Sequence, residues 1–187
     1  MRRLSMFNNV SLDGFFTDRE GTTRWAHERK PDEEWTAFSS KNASGGGALL
    51  FGRITYGEME SFWPTPQAQK MMPVVAKRMN EMQKFVFSRT LNKVTWSNTT
   101  VLKGDPVTEV RKLKKEPGPD LTIMGSGSLV SPLAAAGLID EYKFVVNPLG
   151  LGKGRTLFEG VQTQVNLKLI STRSFKNGNV YLVYEPV

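Results

Sequence analysis

Three observations predict an α/β protein of three layers, α/β/α, built on a mainly parallel sheet with an antiparallel hairpin at its C-terminal edge. The first is the stretch LTIMGSGSLVSPLAAAGLIDEYKFVV, Leu121 to Val146. It reads as a short strand (Leu121–Met124), a glycine turn, a small-residue helix stopped at Gly137, and a second strand (Tyr142–Val146). Such a βαβ unit sets parallel strands side by side with the turn at their carboxyl ends. The second is a similar pattern upstream, where the apolar runs Ala48–Phe51 and Lys84–Phe87 each end in small, hydroxyl or basic residues. The third is the C-terminus. There Leu167–Phe175 and Val180–Tyr184 flank Lys176-Asn177-Gly178-Asn179, and Asn-Gly is the strongest short hairpin signal.

In chain order, Arg3–Val10 reads as the first strand and Ser11-Leu12-Asp13-Gly14 as a turn. Thr17 to Pro31 is polar and irregular, a long loop of the kind that often carries function. Asp32 caps a helix on which Trp35 and Phe38 share a face. Gly45-Gly46-Gly47 breaks the chain before the buried strand Ala48–Phe51, which runs into Gly52-Arg53-Ile54-Thr55 and a second helix. Pro64 and Pro66 mark a loop, and Pro73 opens a helix whose Val75, Met79 and Met82 face the core. After the strand Lys84–Phe87, Val101–Lys103 is a fourth strand leading to the basic helix Val107–Glu116. In the central unit Ser128 and Ser131 are both helix caps by residue type. Pro132 suits the first helical position after Ser131 better than the fourth after Ser128. Asn147 to Gly154 is a glycine-rich loop but not a phosphate-binding GxxxxGK[ST] loop.

The 187 residues fit one domain, 1–187, with room for a substantial core. The chain has no cysteine and a single histidine, His27. Disulfides, thiolate zinc sites, cysteine nucleophiles and multi-histidine metal sites are thereby excluded, and no metal is expected. His27 stands in a polar stretch and reads as solvated. Lys and Arg number 25 against 18 acids, a net charge of +7. The cations are scattered, and the densest run (Arg111, Lys112, Lys114, Lys115) is the wet face of a helix over Val107, Val110 and Leu113. Nucleic acid is therefore not the expected partner, while a phosphate-bearing small molecule suits the charge. With no secretory signal and no membrane-length apolar run, the expected location is the cytoplasm.

Three strand ends carry the chemistry: Gly52-Arg53-Ile54-Thr55, Ser88-Arg89-Thr90 and Gly125-Ser126-Gly127-Ser128. Parallel strands bring them to one rim, where two helix N-termini plus Arg53 and Arg89 can hold two separated phosphates. A pyrophosphate and a ribose 2′-phosphate, the group that separates NADP from NAD and matches an arginine fork, are one such pair. The turn at Gly125 lacks the third glycine of the dinucleotide fingerprint, having Val130 there, so it does not identify a cofactor unaided.

Taken together, NNVSLDGFF, FGRITYGEM, FSRTL and IMGSGSLVSPLAAAGLIDEY, in this order, resemble the dihydrofolate reductase-like fold. More closely, they resemble the reductase domain of the bifunctional riboflavin-biosynthesis deaminase–reductase and its stand-alone relatives, over nearly the whole chain. The resemblance implies NADPH lined by Gly52, Arg53, Thr55, Ser88, Arg89, Thr90 and Gly125, Ser126, Gly127, Ser128, Leu129, with backbone contacts from Val10 near the nicotinamide. It implies hydride transfer to a flat heterocycle, a pterin or an aminouracil, and a homodimer. The zinc-dependent deaminase half needs cysteines, so a reductase is the most this chain supports. A proton must also be supplied. Asp32 is the candidate acid, with Glu33 and Glu34 as alternatives, and Asp32 has a second reading as a helix cap. Asp13, Trp25, Trp35 and Phe38 are substrate-side candidates, Asp13 also reading as a turn residue and at least one of the aromatics as core. The alternative to a reductase is a non-catalytic nucleotide-binding sensor or interaction protein that keeps the rim and has lost the acid.

Overall fold

The computed structural model describes residues 1–26 and 32–187; His27 and the end of the long loop at Pro31 fall outside the described residues. Eight strands make one sheet: β1 (Leu4–Ser11), β2 (Ala48–Gly52), β3 (Gln83–Phe87), β4 (Thr99–Leu102), β5 (Leu121–Met124), β6 (Glu141–Asn147), β7 (Leu167–Ser174) and β8 (Val180–Pro186). Their order is β4-β3-β2-β5-β1-β6-β8-β7. The first six run parallel, and β8 pairs antiparallel with β6 and β7. The expected fold class is thus the one observed.

The strand pairing of the βαβ unit differs from its expected form. β5 and β6 are not neighbours, because β1 is inserted between them and pairs with both. The middle of a sheet covered on both faces suits the strand that can bury both faces, and in β1 Leu4 and Met6 are fully buried while Ser5 and Asn8 are nearly so.

Helices α1 (Glu33–Ser44), α2 (Arg53–Phe62), α3 (Pro66–Met71), α4 (Pro73–Glu81), α5 (Pro106–Lys115) and α6 (Gly127–Ala135) complete the layers. Strand alternation sends Leu4, Met6, Leu50, Phe85, Leu121 and Ile123 to one face, where Val110 and Leu113 of α5 and Leu129, Val130 and Leu133 of α6 cover them. Leu49, Phe51 and Val86 point the other way onto Tyr56 of α2, Val75 and Met79 of α4, and Trp96. Truncating a fully buried residue such as Leu50 to Ala costs about 2–5 kcal/mol. Lys84 is buried at the start of β3 with its Nζ donating to Asn80 O (3.1 Å) and Met82 O (2.6 Å), which closes the end of α4. Burial lowers its pKa to about 8.

Two helix starts differ from the sequence reading. α6 begins at Gly127, not at Pro132. Ser126, at φ +67°, ends the turn, and its carbonyl already accepts from Leu129 N and Val130 N. Pro132 then sits inside the helix, where its missing N–H frees only the carbonyl of Ser128, an exposed residue. The segment read as a loop at Pro64 and Pro66 contains α3, because Thr65 caps it (Ala68 N to Thr65 Oγ1, 3.2 Å) and Pro66 occupies its first turn. Among the described residues, no helix is long and apolar enough to cross a membrane.

Candidate functional site: a rim of strand ends beside an aromatic wall

Because β3, β2 and β5 are parallel neighbours, with Gly52 level with Phe87 and Leu50 level with Ile123, their carboxyl ends reach one edge of the sheet. The turns there interlock. A side chain at Gly52 would collide with the hydroxyl of Ser126, and a Cβ at Gly125 would lie 2.8 Å from Thr55 Cγ2 and 3.1 Å from its Oγ1. Gly125 also has φ +65°, followed by the left-handed Ser126, so two consecutive residues turn the chain away from β5. Ser126 Oγ and Ser128 Oγ lie 2.8 Å apart. The starts of α2 and α6 are thereby locked side by side, both presenting free backbone N–H groups to the rim.

The residues picked for this rim divide into framework and surface. Thr55, Ser126, Gly127, Leu129 and Val10 are buried. Thr55 packs under Gly125, and Gly127 lies against the Phe16 ring. Ser88 Oγ accepts from Thr90 N (3.2 Å) and Leu91 N (3.0 Å), which shapes the turn after β3. Arg53, Arg89, Thr90 and Ser128 are exposed, and neither arginine has a salt-bridge partner among the described residues. A cleft of about 260 Å³ is lined by Gly52, Ser88, Arg89, Ser128 and Leu129 together with Phe87, Leu102, Lys103, Gly104 and Pro106. Arg53 and Gly125 are not in its lining. Lys103 was missed from sequence; its position directly after a strand, level with the other strand ends, was the available signal.

On the other side of the switch in strand order the sheet opens. β5 pairs with β1 only from Leu4 to Phe7, whereas β6 follows β1 as far as Ser11. Among the described residues, Asn8 to Ser11 therefore have no strand partner on the β5 side, beside Gly125. The Val10 carbonyl accepts from Asn147 Nδ2 at 3.4 Å.

Beyond that opening α1 lies against the hairpin. Trp35 and Phe38 meet Phe175 at ring distances of 5.0 and 4.9 Å, and Phe38 meets Tyr181 at 4.8 Å. Phe7 lies 6.4 Å from Tyr181. Burial, then the charge of Glu141, push the Tyr181 phenol up to about 12, so it stays neutral. The hairpin rings come from more than a hundred residues away and were missed from sequence. Trp25 is buried apart from this group, and its Nε1 has no hydrogen-bond partner among the described residues.

Of the candidate acids, Asp32 accepts through Oδ1 from Trp35 N at 2.6 Å and caps α1. Glu33 is exposed. Glu34 accepts from Arg173 Nη2 (2.9 Å) and Lys176 N (3.3 Å); the Arg173 bond first, then the amide, hold its pKa below the ordinary carboxylate value. Asp13 accepts from Gly152 N (2.7 Å) and Leu151 N (3.1 Å), pinning the glycine-rich loop onto the turn after β1. The Ser11 hydroxyl, followed by those two amides, lowers its pKa to about 2.

A sheet of this order, with its glycine turns gathered at the carboxyl ends beside an open central strand, is the dihydrofolate reductase-like fold. It superposes on the Enterococcus faecalis dihydrofolate reductase solved in complex with NADP(H) with a TM-score of 0.63, at 15% identity over 98% of this chain and 96% of that one. Residues 2–181 match the RibD C-terminal domain model, and the chain belongs to that family. It is 33% identical to the Bacillus subtilis protein YyaP, whose function is uncharacterised, over 98% of this chain and 94% of that protein. A putative riboflavin biosynthesis protein from Shewanella sp. PV-4 shares the fold with a TM-score of 0.73 and 22% identity over 99% of each chain.

Proposed function

We propose that the protein is an NADPH-dependent reductase that transfers a hydride to a pterin-like or aminopyrimidine ring. The observation that carries this reading is the rim itself: two helix N-termini locked together by Gly52 and Gly125, with Arg53, Arg89 and Lys103 exposed nearby and unpaired among the described residues. The residues fit the cofactor. The glycine turns permit close backbone approach by a pyrophosphate, and Arg89 with Lys103 and Ser88 flanks a cleft suited to a 2′-phosphate. NADPH, when bound, supplies the hydride. The chain's own residues hold the two rings together and keep water out, with the free edge of β1 beside one ring and Phe7, Phe38 and Tyr181 walling the other. Asp32 remains the proposed proton source; it caps the helix that carries Trp35 and Phe38. The family name, the NADP(H) complex of the Enterococcus enzyme and the riboflavin-related Shewanella protein support the reading. Absorbance at 340 nm with NADPH and a panel of dihydropterins and aminouracils tests it; consumption of NADPH with one of them is the expected result.

A specific observation favours the second reading, a nucleotide-binding protein without catalysis: the Asp32 carboxylate is engaged in its cap and Glu34 in an ion pair. Tight NADPH binding with no turnover on any ring would select it. In either case a cytoplasmic homodimer is expected, which light scattering and cell fractionation test.

A further inference from the structure

Strand alternation puts Asn9 on the α1 face of β1, two residues beyond Phe7, in register with Val145 and through it with Tyr181. Asn9 is half-buried, and beside it Asn147 is 1% exposed. The Asn147 side-chain nitrogen lies 3.1 Å from Val145 O, 3.2 Å from Asn9 Oδ1 and 3.4 Å from Val10 O. Three oxygens around one atom fix it as the NH2 end of the amide, because a carbonyl oxygen there would meet only lone pairs. That assignment determines the next amide. Asn9 must turn its oxygen toward Asn147, which leaves its Nδ2 as the outward end with no acceptor among the described residues. A second polar atom stands near by. Continuing the β6–β8 register one residue past Val146 and Val180 sets Asn179 opposite Asn147, and its buried Oδ1 accepts no hydrogen bond among the described residues.

We propose that Asn9, oriented by Asn147, is the specificity-determining group that reads the acceptor edge of the heterocycle. Resting on the reductase reading above, it assigns the Asn9 N–H groups to a ring carbonyl or unprotonated ring nitrogen. Asn147 acts as a positioning residue. The wall from Phe7 to Phe38 supplies stacking surface for any flat ring, but a stacked ring is free to rotate in its plane; a fixed donor removes that freedom. A site of this polarity prefers a dioxopyrimidine edge to a protonated diaminopyrimidine edge, which offers two more donors to a donor.

Asn9→Asp tests the assignment because it keeps the shape and the oxygen facing Asn147 while turning the outward donor into an acceptor. Asn9→Ala removes the group without reversing it. Binding of 5-aminouracil and of 2,4-diaminopyrimidine to the NADPH-loaded protein is read by tryptophan fluorescence at mildly acidic pH, with thermal melts and an NADPH titration on each variant. Expected is that Asn9→Ala weakens aminouracil about 2- to 10-fold, the range of one neutral hydrogen bond. Asn9→Asp should weaken it more than tenfold and strengthen diaminopyrimidine, with NADPH affinity kept. Asn147→Ala should weaken aminouracil as well, and adding Asn9→Ala to it should cause no further loss, a non-additivity that a purely structural role would not produce. An Asn9→Asp variant that binds both rings as the unaltered protein does overturns the assignment and leaves the reductase reading standing. An unaltered protein that binds NADPH but neither ring overturns both.

Discussion

The rim at β3, β2 and β5 and the wall under α1 meet at the open edge of β1, yet they are built on opposite plans. On the rim the framework is buried and satisfied, while the charged groups, Arg53, Arg89 and Lys103, are exposed and unpaired among the described residues. Under α1 two of the three candidate acids are already engaged, Glu34 with Arg173 and Asp32 with its own helix, and the surface is aromatic. A region whose cations lack a protein partner is poised for an anion supplied from outside. A region with Asp32 and Glu34 occupied offers stacking area and neutral amides instead. Under the proposed function, charge is the rim's means of selecting a cofactor, while shape and neutral hydrogen bonds are the wall's means of selecting a ring.

The largest expected effect comes from breaking the rim's framework. Gly125→Val places a branched side chain at φ +65° and against Thr55. It should reduce NADPH affinity more than about a hundredfold, two hydrogen bonds to a charged group at roughly 1.5–3 kcal/mol each being lost with the turn. Titration followed by fluorescence checks this, with circular dichroism to show that the sheet persists; normal binding would refute the rim as the cofactor site.

Next is the charge. Replacing Arg89 by Ala should weaken NADPH about tenfold, near the low end for a charge-assisted bond because the guanidinium is exposed. NADH affinity should hardly change. Adding Lys103→Ala should widen the gap, and equal losses for the two cofactors would remove the 2′-phosphate from this cleft.

On the α1 side, Asp32→Asn should lower turnover of an active substrate at least tenfold, about 1.4 kcal/mol in the barrier. Asn caps a helix about as well as Asp, so melting temperature and NADPH affinity should hold and the rate change isolates the proton. Unchanged turnover would leave Asp32 as a cap alone.

The smallest effect is the acid response of the loop that borders both regions. Asp13 has a folded pKa of about 2 against an ordinary 3.8. A depressed carboxyl contributes stability that is fully present above pH 3.8 and is lost as pH falls through about 2. The melting-temperature difference between the protein and Asp13→Asn should therefore be constant above that window and shrink within it. A difference independent of pH would show that the Asp13 bonds to Gly152 and Leu151 do not persist in solution.

Most strands were legible in the amino-acid order alone, because runs such as Ala48–Phe51 and Leu121–Met124 are apolar, of strand length and bounded by glycine or a turn. So was the hairpin, because Asn177-Gly178 admits little else, and Gly178 indeed takes φ +88°. The rim was legible too, since parallel strands carry their following turns to one edge whatever their order. Strand order was not. Nothing in the local pattern of β5 and β6 says that β1 lies between them; that is decided by strand pairing across the whole sheet. The start of α6 was misplaced because a left-handed Ser126 held under Gly52 decides it, a contact between turns some seventy residues apart. For the same reason the roles of Thr55 and Gly127 divided from those of Arg89 and Ser128 only once packing was known. Among the acids at α1, Asp32 could be put first, but the engagement of Glu34 could not be foreseen, since its partners, Arg173 and the amide of Lys176, arrive from the far end of the chain. Asn9 and Asn147 carried no local signal at all: two asparagines 138 positions apart become one oriented donor only where β1 and β6 lie side by side.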